Sequence, residues 1–580
     1  MSSAKLRGVS TCLYTSLETP FERNIEDIPF SEYPRPLLKR DSYISLNGYW
    51  NLKVIFKKRE IFKGDILVPF VPESKISGVC QRFPLKSRLI YSKSFTLSRE
   101  FVKERVLLNF GAVDRRSTVK INGVTVCEND GGYLPFSADV TDALVTGENV
   151  IEVECIDGLD KEYPYGKQRK NRGGMWYTPI SGIWQSVWLE SVCENYIKAL
   201  EITTTVRSVT LRALGGQRHK RLSFFADGEK REYDFYGEEI TVHIPQGRVW
   251  SPDDPYIYPF TLTSGEDTVE SYFALREIRI EKGKNTSRIL LNNKPVFLHG
   301  VLDQGYFSDG IYLPATPDGY KNDILTMKAL GFNTLRKHIK IEPQLFYYYC
   351  DLYGMLVCQD MVNSGKYSFL IDTALPTVGV KKGITHRASR KRRCIFEETA
   401  MGTQRLLYNH PSVIYYTIFN EGWGQYDVDD VYEKLKAEDP TRIYDATSGW
   451  FEKKKSDVDS LHVYFKPFKL KKSYKRPVIL SEFGGYSYKI DAHSFNLNNT
   501  YGYRLFKDKE GFETAVEALY RKEIIPAIDK GLCGSVLTQL SDVEDETNGF
   551  LTYDRQVLKM DTEKMKNIST DIYNSFKKLK

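Results

Sequence analysis

Two glutamates stand where apolar runs give way to loops. Glu421 follows Ile414 to Phe419 in IYYTIFNEGWGQ, and Glu482 follows a similar run in VILSEFGG. Each leaves a stretch that reads as a buried strand and enters a Gly-containing loop. Two carboxyl groups brought to about 5 Å can cleave a glycosidic bond with retention, one as nucleophile and one as acid and base. That chemistry requires surroundings that keep one group ionised and the other protonated. A single glutamate at a strand end is more often a helix cap or half of a salt bridge. Two of them, each with a polar or aromatic escort, shift the balance toward chemistry.

The elements around these residues set where they meet. After about residue 282, short apolar strands alternate with helical stretches. The strand candidates are VFLHGV, GFNTLRKH, MLVCQDM, IYYTIFN, RIYDAT, DSLHVYF, PVILSEFG and GSVLTQLSD. Eight strands with intervening helices over this length point to a (β/α)8 barrel, whose chemistry sits at the C-terminal strand ends. Glu421 then closes the fourth strand and Glu482 the seventh. A doubly wound sheet is disfavoured because no Gly-rich phosphate loop follows the first strand. Position also places Asp303 after the first strand, Asp360 and Asn363 after the third, Trp450 after the fifth, and His462 and Tyr464 at the sixth. Arg336, Lys337, His338 and Lys340 crowd the end of the second.

Upstream the pattern is all-β. Residues 40 to 195 alternate polar and apolar in runs such as STVKINGVTV, where Asn122-Gly123 signals a tight hairpin. Residues 196 to 281 continue with turn signals about every ten residues, the spacing of a small immunoglobulin-like sandwich.

The totals exclude several classes. A chain of 580 residues exceeds one core. The net charge of +7 on 157 charged residues is mild. The main basic run, KKGITHRASRKRR (381 to 393), lacks the interleaved aromatics of a single-strand nucleic-acid surface and reads as a solvated loop entering a helix. Nine scattered cysteines without CxxC or zinc spacing read as free thiols in a reducing compartment. The first residues lack an apolar core of signal-peptide length, and no run reaches the ~20 apolar residues of a membrane span. A cytoplasmic protein without metal, cofactor, nucleic-acid or membrane partner is the expectation.

The chain resembles glycoside hydrolase family 2, the group of β-galactosidases, β-glucuronidases and β-mannosidases. The resemblance is carried by FNEGWGQ (419 to 425), SEFGG (481 to 485), LNGYW (46 to 50) and NFGAVDRRSTVKINGV (109 to 124). ISGIWQSVWLE (180 to 190), VWSPDDPYIYPFTL (249 to 262), GVLDQG (300 to 305) and LGFNTLRKH (330 to 338) add to it. It implies a jelly-roll sugar-binding-like domain over 1–195, an immunoglobulin-like sandwich over 196–281 and a catalytic (β/α)8 barrel over 282–580. It further implies that Glu421 is the general acid/base, Glu482 the nucleophile and Asn420 the partner of the sugar 2-hydroxyl. Trp423 and Tyr464 line the site by the same analogy, and the assembly is a dimer or tetramer acting on a small glycoside or oligosaccharide.

Departures from the family pattern bear on specificity. His338 stands one position early after Arg336, and Thr538 occupies the place of an eighth-strand tryptophan. Ala274-Leu275-Arg276 replaces Gly-Leu-Arg. The Asn-x-Lys motif that clamps glucuronate is absent from DVEDETNGFLTYDR. An exo-acting retaining β-glycosidase, β-galactosidase-like, is therefore expected first. The alternatives are a β-hexuronidase, galacturonide before glucuronide, with Arg336 and Lys340 as carboxylate fork, or an inactive carbohydrate-binding relative. The stronger expectation for Arg336 is a pair with Glu421 or Asp360.

Overall fold

The computed structural model describes the backbone of residues 10–11 and residues 17–283, 286–377, 388–451, 454–470 and 475–578. Residues 381–387 of the basic run lie outside the described residues. Its remainder opens a helix, Arg390–Leu407, capped by Ser389, whose hydroxyl accepts from Arg392 N at 3.0 Å.

The first unit is a sandwich. A six-stranded antiparallel sheet includes Gly48–Phe56, Arg88–Leu97 and Gly147–Ile156, and a four-stranded sheet includes Arg105–Phe110 and Val187–Val192. The strand Gly48–Phe56 alternates strictly, burying Trp50, Leu52 and Val54 while Tyr49, Asn51 and Lys53 face out. Each such burial contributes about 1.5–3 kcal/mol. The Asn122-Gly123 turn has φ +50° and +84° at its two residues, and Ile121 pairs with Val124 across it, as a type I′ hairpin requires.

A second, smaller sandwich comes next in the chain. Three strands, Ile197–Thr204, Ser208–Gly215 and Glu239–His243, face four, among them His219–Ala226 and Tyr258–Ser264. Arg40 ties the two sandwiches together, donating to Asp267 through Nε and Nη2 (both 2.9 Å) and to Glu190 through Nη1 (3.1 Å). Trp250 anchors the second sandwich to the C-terminal unit by donating from Nε1 to the Asp351 carbonyl at 2.8 Å.

That third unit is a parallel eight-stranded barrel, nearly closed. In chain order its strands are Leu298–Asp303, Thr334–Lys337, Leu356–Asp360, Val413–Phe419, Ile443–Thr447, Asp459–Val463, Val478–Gly484 and Leu532–Thr538. All eight fall on the expected runs. Val413–Phe419, Val478–Gly484 and Leu532–Thr538 are buried throughout, as strands covered on both faces must be.

A loop of the first sandwich, residues 157 to 181, reaches over the C-terminal end of the barrel. Tyr165 N donates to the Asn363 carbonyl (3.1 Å), Tyr165 OH to the Gly365 carbonyl (2.6 Å), and Thr178 N to Glu544 Oε1 (2.8 Å). The barrel mouth thus gains a wall from another unit.

Two expectations about context need revision or narrowing. Cys127, Cys155, Cys193, Cys350, Cys358, Cys394 and Cys533 are free, but Cys80 is disulfide-bonded. Structural disulfides persist in oxidising surroundings, so the cysteine argument for a reducing, cytoplasmic setting fails at this residue. Among the described residues no helix is long and apolar enough to cross a membrane.

Candidate active site

The fourth barrel strand ends at Phe419, and the chain turns at once. Glu421 takes a left-handed conformation (φ 51°, ψ 25°), and Gly422 and Gly424 come after it with φ 65° and 71°. A glutamate held there costs about 1 kcal/mol or more. The Ser448 hydroxyl supports the turn by accepting from Glu421 N at 3.1 Å. The turn keeps the Glu421 side chain in the mouth, where it is 15% exposed.

Glu482 enters from the seventh strand and is more deeply set. Its Oε1 accepts from Arg336 Nη1 at 3.0 Å and its Oε2 from Tyr464 OH at 2.5 Å. His462 stands between the two glutamates, its Nδ1 2.9 Å from Glu421 Oε1 and 3.5 Å from Glu482 Oε2. One carboxylate oxygen of each glutamate and a ring nitrogen of His462 lie within 4.8 Å of one another. Burial alone pushes the Glu482 carboxyl up. The charges of His462, Arg336 and His338 and the Tyr464 hydrogen bond overcome it and hold the group down at about 2. The same donor triplet could attract a cation, but the Arg336 guanidinium beside Glu482 opposes one.

Arg336 organises the floor. It is 1% exposed and donates to Asp360 Oδ1 (3.0 Å), the Ser481 carbonyl (2.9 Å) and Asn420 Oδ1 (2.8 Å), besides Glu482. Asn420 Oδ1 also accepts from Ser448 Oγ at 2.8 Å. With the oxygen so occupied, the Asn420 amide nitrogen is the end left to meet a ligand. His338 shares this side, its Nδ1 2.7 Å from Asp360 Oδ2. Burial lowers its pKa, with Asp360 opposing.

Strand alternation explains what the structure brings together and what it does not. Arg336 and His338, two apart, face the mouth. Lys337 faces away, pairing with Asp303 (2.6 Å) and Glu342 (2.9 Å) and lying 4.1 Å from the Phe346 ring centre. Asp303 is the register partner of Lys337, so it shares that outer side and is not a wall of the mouth. Lys340 continues the two-residue period only on paper. Ile339 has φ +55°, which breaks the alternation. Lys340 is instead sealed by the carbonyls of Gly305 (2.5 Å) and Tyr312 (2.6 Å) and by Glu342 (2.9 Å). Asp303 and Lys340 are thus members of a separate buried ion cluster.

The remaining expected residues form walls. Trp450 lies edge-on to His462, with ring centres 5.6 Å apart, and donates from Nε1 to the Asp372 carbonyl at 3.1 Å. Trp423 is 3% exposed, packed edge-on to Tyr165, Trp176 and Tyr367. It supports the wall from behind. Asn363 braces it by donating to the Trp423 carbonyl at 2.8 Å.

Sequence reasoning missed three contributors. Tyr503 stacks on Tyr464 with ring centres 3.9 Å apart. It comes from the stretch YGYRLF between the seventh strand and its helix, where a tyrosine-rich insert was the available signal. Ser448 links Asn420 to Glu421, as above. Glu546, in the acidic stretch after the eighth strand, is buried and bonded by Tyr177 OH from the first sandwich. Thr538, at the end of the eighth strand, meets Tyr464 OH at 3.0 Å.

Comparison with known proteins matches this architecture. The model of the glycosyl hydrolases family 2 TIM barrel domain matches residues 282–489, and that of the glycosyl hydrolase 2 galactose-binding domain-like unit matches 74–185. A β-galactosidase of Priestia megaterium is 24% identical over 440 residues, covering 68% of this chain but 40% of that protein. The chain thus spans about 40% of the length of that curated relative. Among solved structures, the β-D-glucuronidase of Dictyoglomus thermophilum superposes with a TM-score of 0.72 at 19% identity, over 93% of this chain and 98% of the other. A family 2 β-galacturonidase of Eisenbergiella tayi bound to galacturonate gives 0.66 at 19% identity, over 93% and 98%. The two matching models belong to one family, occur in chain order and together span more than half of the sequence, and this chain belongs to glycoside hydrolase family 2.

Proposed function

We propose that the chain is an exo-acting retaining β-glycosidase that releases terminal β-linked sugars through a glycosyl-enzyme intermediate. One observation carries this reading. Carboxylate oxygens of Glu421 and Glu482 lie within 4.8 Å of each other, the close spacing of a retaining pair and shorter than an inverting pair needs to seat its attacking water beside the sugar.

The surroundings assign the roles. Glu482, kept ionised by Arg336, His462 and Tyr464, attacks the anomeric carbon. Glu421, nearer solvent, gives its proton to the departing glycosidic oxygen as the bond to carbon breaks. It then takes a proton from water, whose oxygen displaces Glu482 from the sugar. The Asn420 amide nitrogen donates to the sugar 2-hydroxyl, a bond that tightens as the oxocarbenium character grows. The covering loop, residues 157 to 181, narrows the mouth and favours chain ends over chain interiors.

The names of the relatives divide between β-galactosidase, β-glucuronidase and β-galacturonidase. Neither Arg336 nor Lys340 is available as a carboxylate fork, since both are saturated by protein partners. A uronate would need another cation.

Hydrolysis of a p-nitrophenyl panel, with the product anomer followed by proton NMR, tests the reading. Release of the β-anomer first from a β-glycoside supports it. Release of the α-anomer first, or cleavage within internal linkages only, contradicts it.

A further inference from the structure

The basic residues crowding the second barrel strand are all committed. Arg336 holds Asp360, Glu482 and Asn420, Lys337 holds Asp303 and Glu342, and Lys340 holds Glu342 and two carbonyls. Lys167 differs. It lies on the loop of the first sandwich that covers the mouth. That loop is fixed in place on both sides of it: Tyr165 N donates to the Asn363 carbonyl, and Tyr177 N to the Lys167 carbonyl (3.0 Å). At Gly166 (φ +60°) a Cβ would come within 2.8 Å of the Ile339 carbonyl, so the loop rests directly on the end of the second strand.

Lys167 is partly buried, and among the described residues no hydrogen bond or ion pair engages its ammonium. Its contact is the Trp176 ring, 5.7 Å from the centroid. Trp176 in turn meets Trp423, two residues from Glu421, at 5.3 Å. Arg169 lies over the same Trp176 ring at 4.6 Å and adds to the positive field. Burial raises the pKa of Glu546 after the eighth strand, with the charge of Lys167 opposing, and burial lowers that of His338 on the second strand, with the same charge adding to the effect. Yet Glu546 is bonded by Tyr177 OH and forms no ion pair with Lys167 among the described residues. The mouth contains Glu421, Glu482, Asp360 and Glu546, so an anionic ligand entering it needs a local cation. Lys167, partly buried and without a counter-ion among the described residues, supplies one.

We propose that Lys167 is a specificity-determining residue that receives an anionic substituent, a carboxylate or a sulfate ester, on the terminal sugar. This rests on the glycosidase reading above and deepens it. The clamp comes from the first sandwich, which gives that unit a part in substrate choice.

The test compares the wild-type chain with Lys167→Met and Lys167→Arg on p-nitrophenyl β-galactoside, β-galacturonide, β-glucuronide and 6-sulfo-β-galactoside. The wild type should prefer an anionic member over its neutral counterpart. Lys167→Met should lose about 10- to 100-fold in kcat/KM on that member, mostly through KM, and less than about threefold on the neutral one. Lys167→Arg should keep most of the preference. Faster uronides identify a carboxylate as the anion, and a faster sulfated galactoside identifies the sulfate. An equal loss on neutral and anionic substrates, or a wild type without anionic preference, overturns the assignment. If no panel member is cleaved, the glycosidase reading fails and binding alone judges Lys167. Calorimetric titration with galacturonate, glucuronate, galactose 6-sulfate and galactose should then show at least about tenfold tighter binding of an anionic sugar, abolished by Lys167→Met. Equal or absent binding overturns it.

Discussion

Arg336 Nη1 donates to Glu482 Oε1 at 3.0 Å, and Nη2 of the same guanidinium donates to Asn420 Oδ1 at 2.8 Å. One rigid fork therefore sets the distance between the seventh and fourth strand ends, where the two glutamates emerge. It also supplies part of the charge that keeps Glu482 ionised. A lysine cannot reproduce both bonds with one planar group.

Arg336→Met should consequently do two things. It leaves Asp360 buried with a weakened partner set, which costs on the order of 3–5 kcal/mol of stability. It also removes a charge that lowers the Glu482 pKa, so the acid limb of kcat/KM moves to higher pH. Differential scanning calorimetry and a pH–rate profile read these two effects. A folded variant with an unchanged acid limb refutes the role of Arg336.

Glu421 and Glu482 should differ in how their loss is repaired. Glu421→Ala should lower turnover about 10²- to 10⁴-fold on substrates with poor leaving groups, and much less on dinitrophenyl glycosides, which need no proton. Azide should restore its activity with a β-glycosyl azide as product. Glu482→Ala should be inactive on both substrate types, and azide should give the α-product. Product analysis by NMR separates the cases.

Tyr464→Phe removes a hydrogen bond to Glu482 but leaves the ring stacked on Tyr503. A bond to a charged acceptor contributes about 1.5–3 kcal/mol. The variant should lose about 10- to 100-fold in kcat with little change in melting temperature. A loss confined to KM contradicts the assignment.

Glu73 provides a pH test away from the barrel strands. Burial raises its pKa from 4.5 to about 7, although Ser181 donates to it from both N and Oγ. The folded chain therefore holds a proton between pH 4.5 and 7 that the unfolded chain has released. Stability from this group is present below pH 4.5 and lost as pH rises to 7, on the order of 3 kcal/mol. Glu73→Gln should flatten that part of the curve of melting temperature against pH.

Much of this was legible in the sequence, and the misses have local causes. The eight barrel strands are apolar runs bounded by Gly or by helical periodicity, which is why all were visible. Arg336, His338, Asn420, His462 and Tyr464 meet the glutamates because strand alternation and strand ends are short-range features. Lys340 departs from its expected place because the left-handed Ile339 interrupts the period of two, and an isoleucine gives no sign of that conformation. Asp303 departs because its side depends on register with Lys337, a property of two strands. Tyr503 and Glu546 reach the mouth from an insert and a late loop, and the loop that carries Lys167 comes from another unit. Only tertiary docking brings them there.

The proposed chemistry turns on Glu482 forming a covalent bond to the sugar while Glu421 manages the proton. Incubation with activated 2-deoxy-2-fluoro glycosides, galacto- and galacturono-configured, followed by mass spectrometry of intact protein and peptides, tests this at the bond itself. One added fluoroglycosyl group is expected, located on Glu482 and absent in Glu482→Gln. A label on Glu421, or turnover of the corresponding substrates without any trapped species, would contradict the assignment.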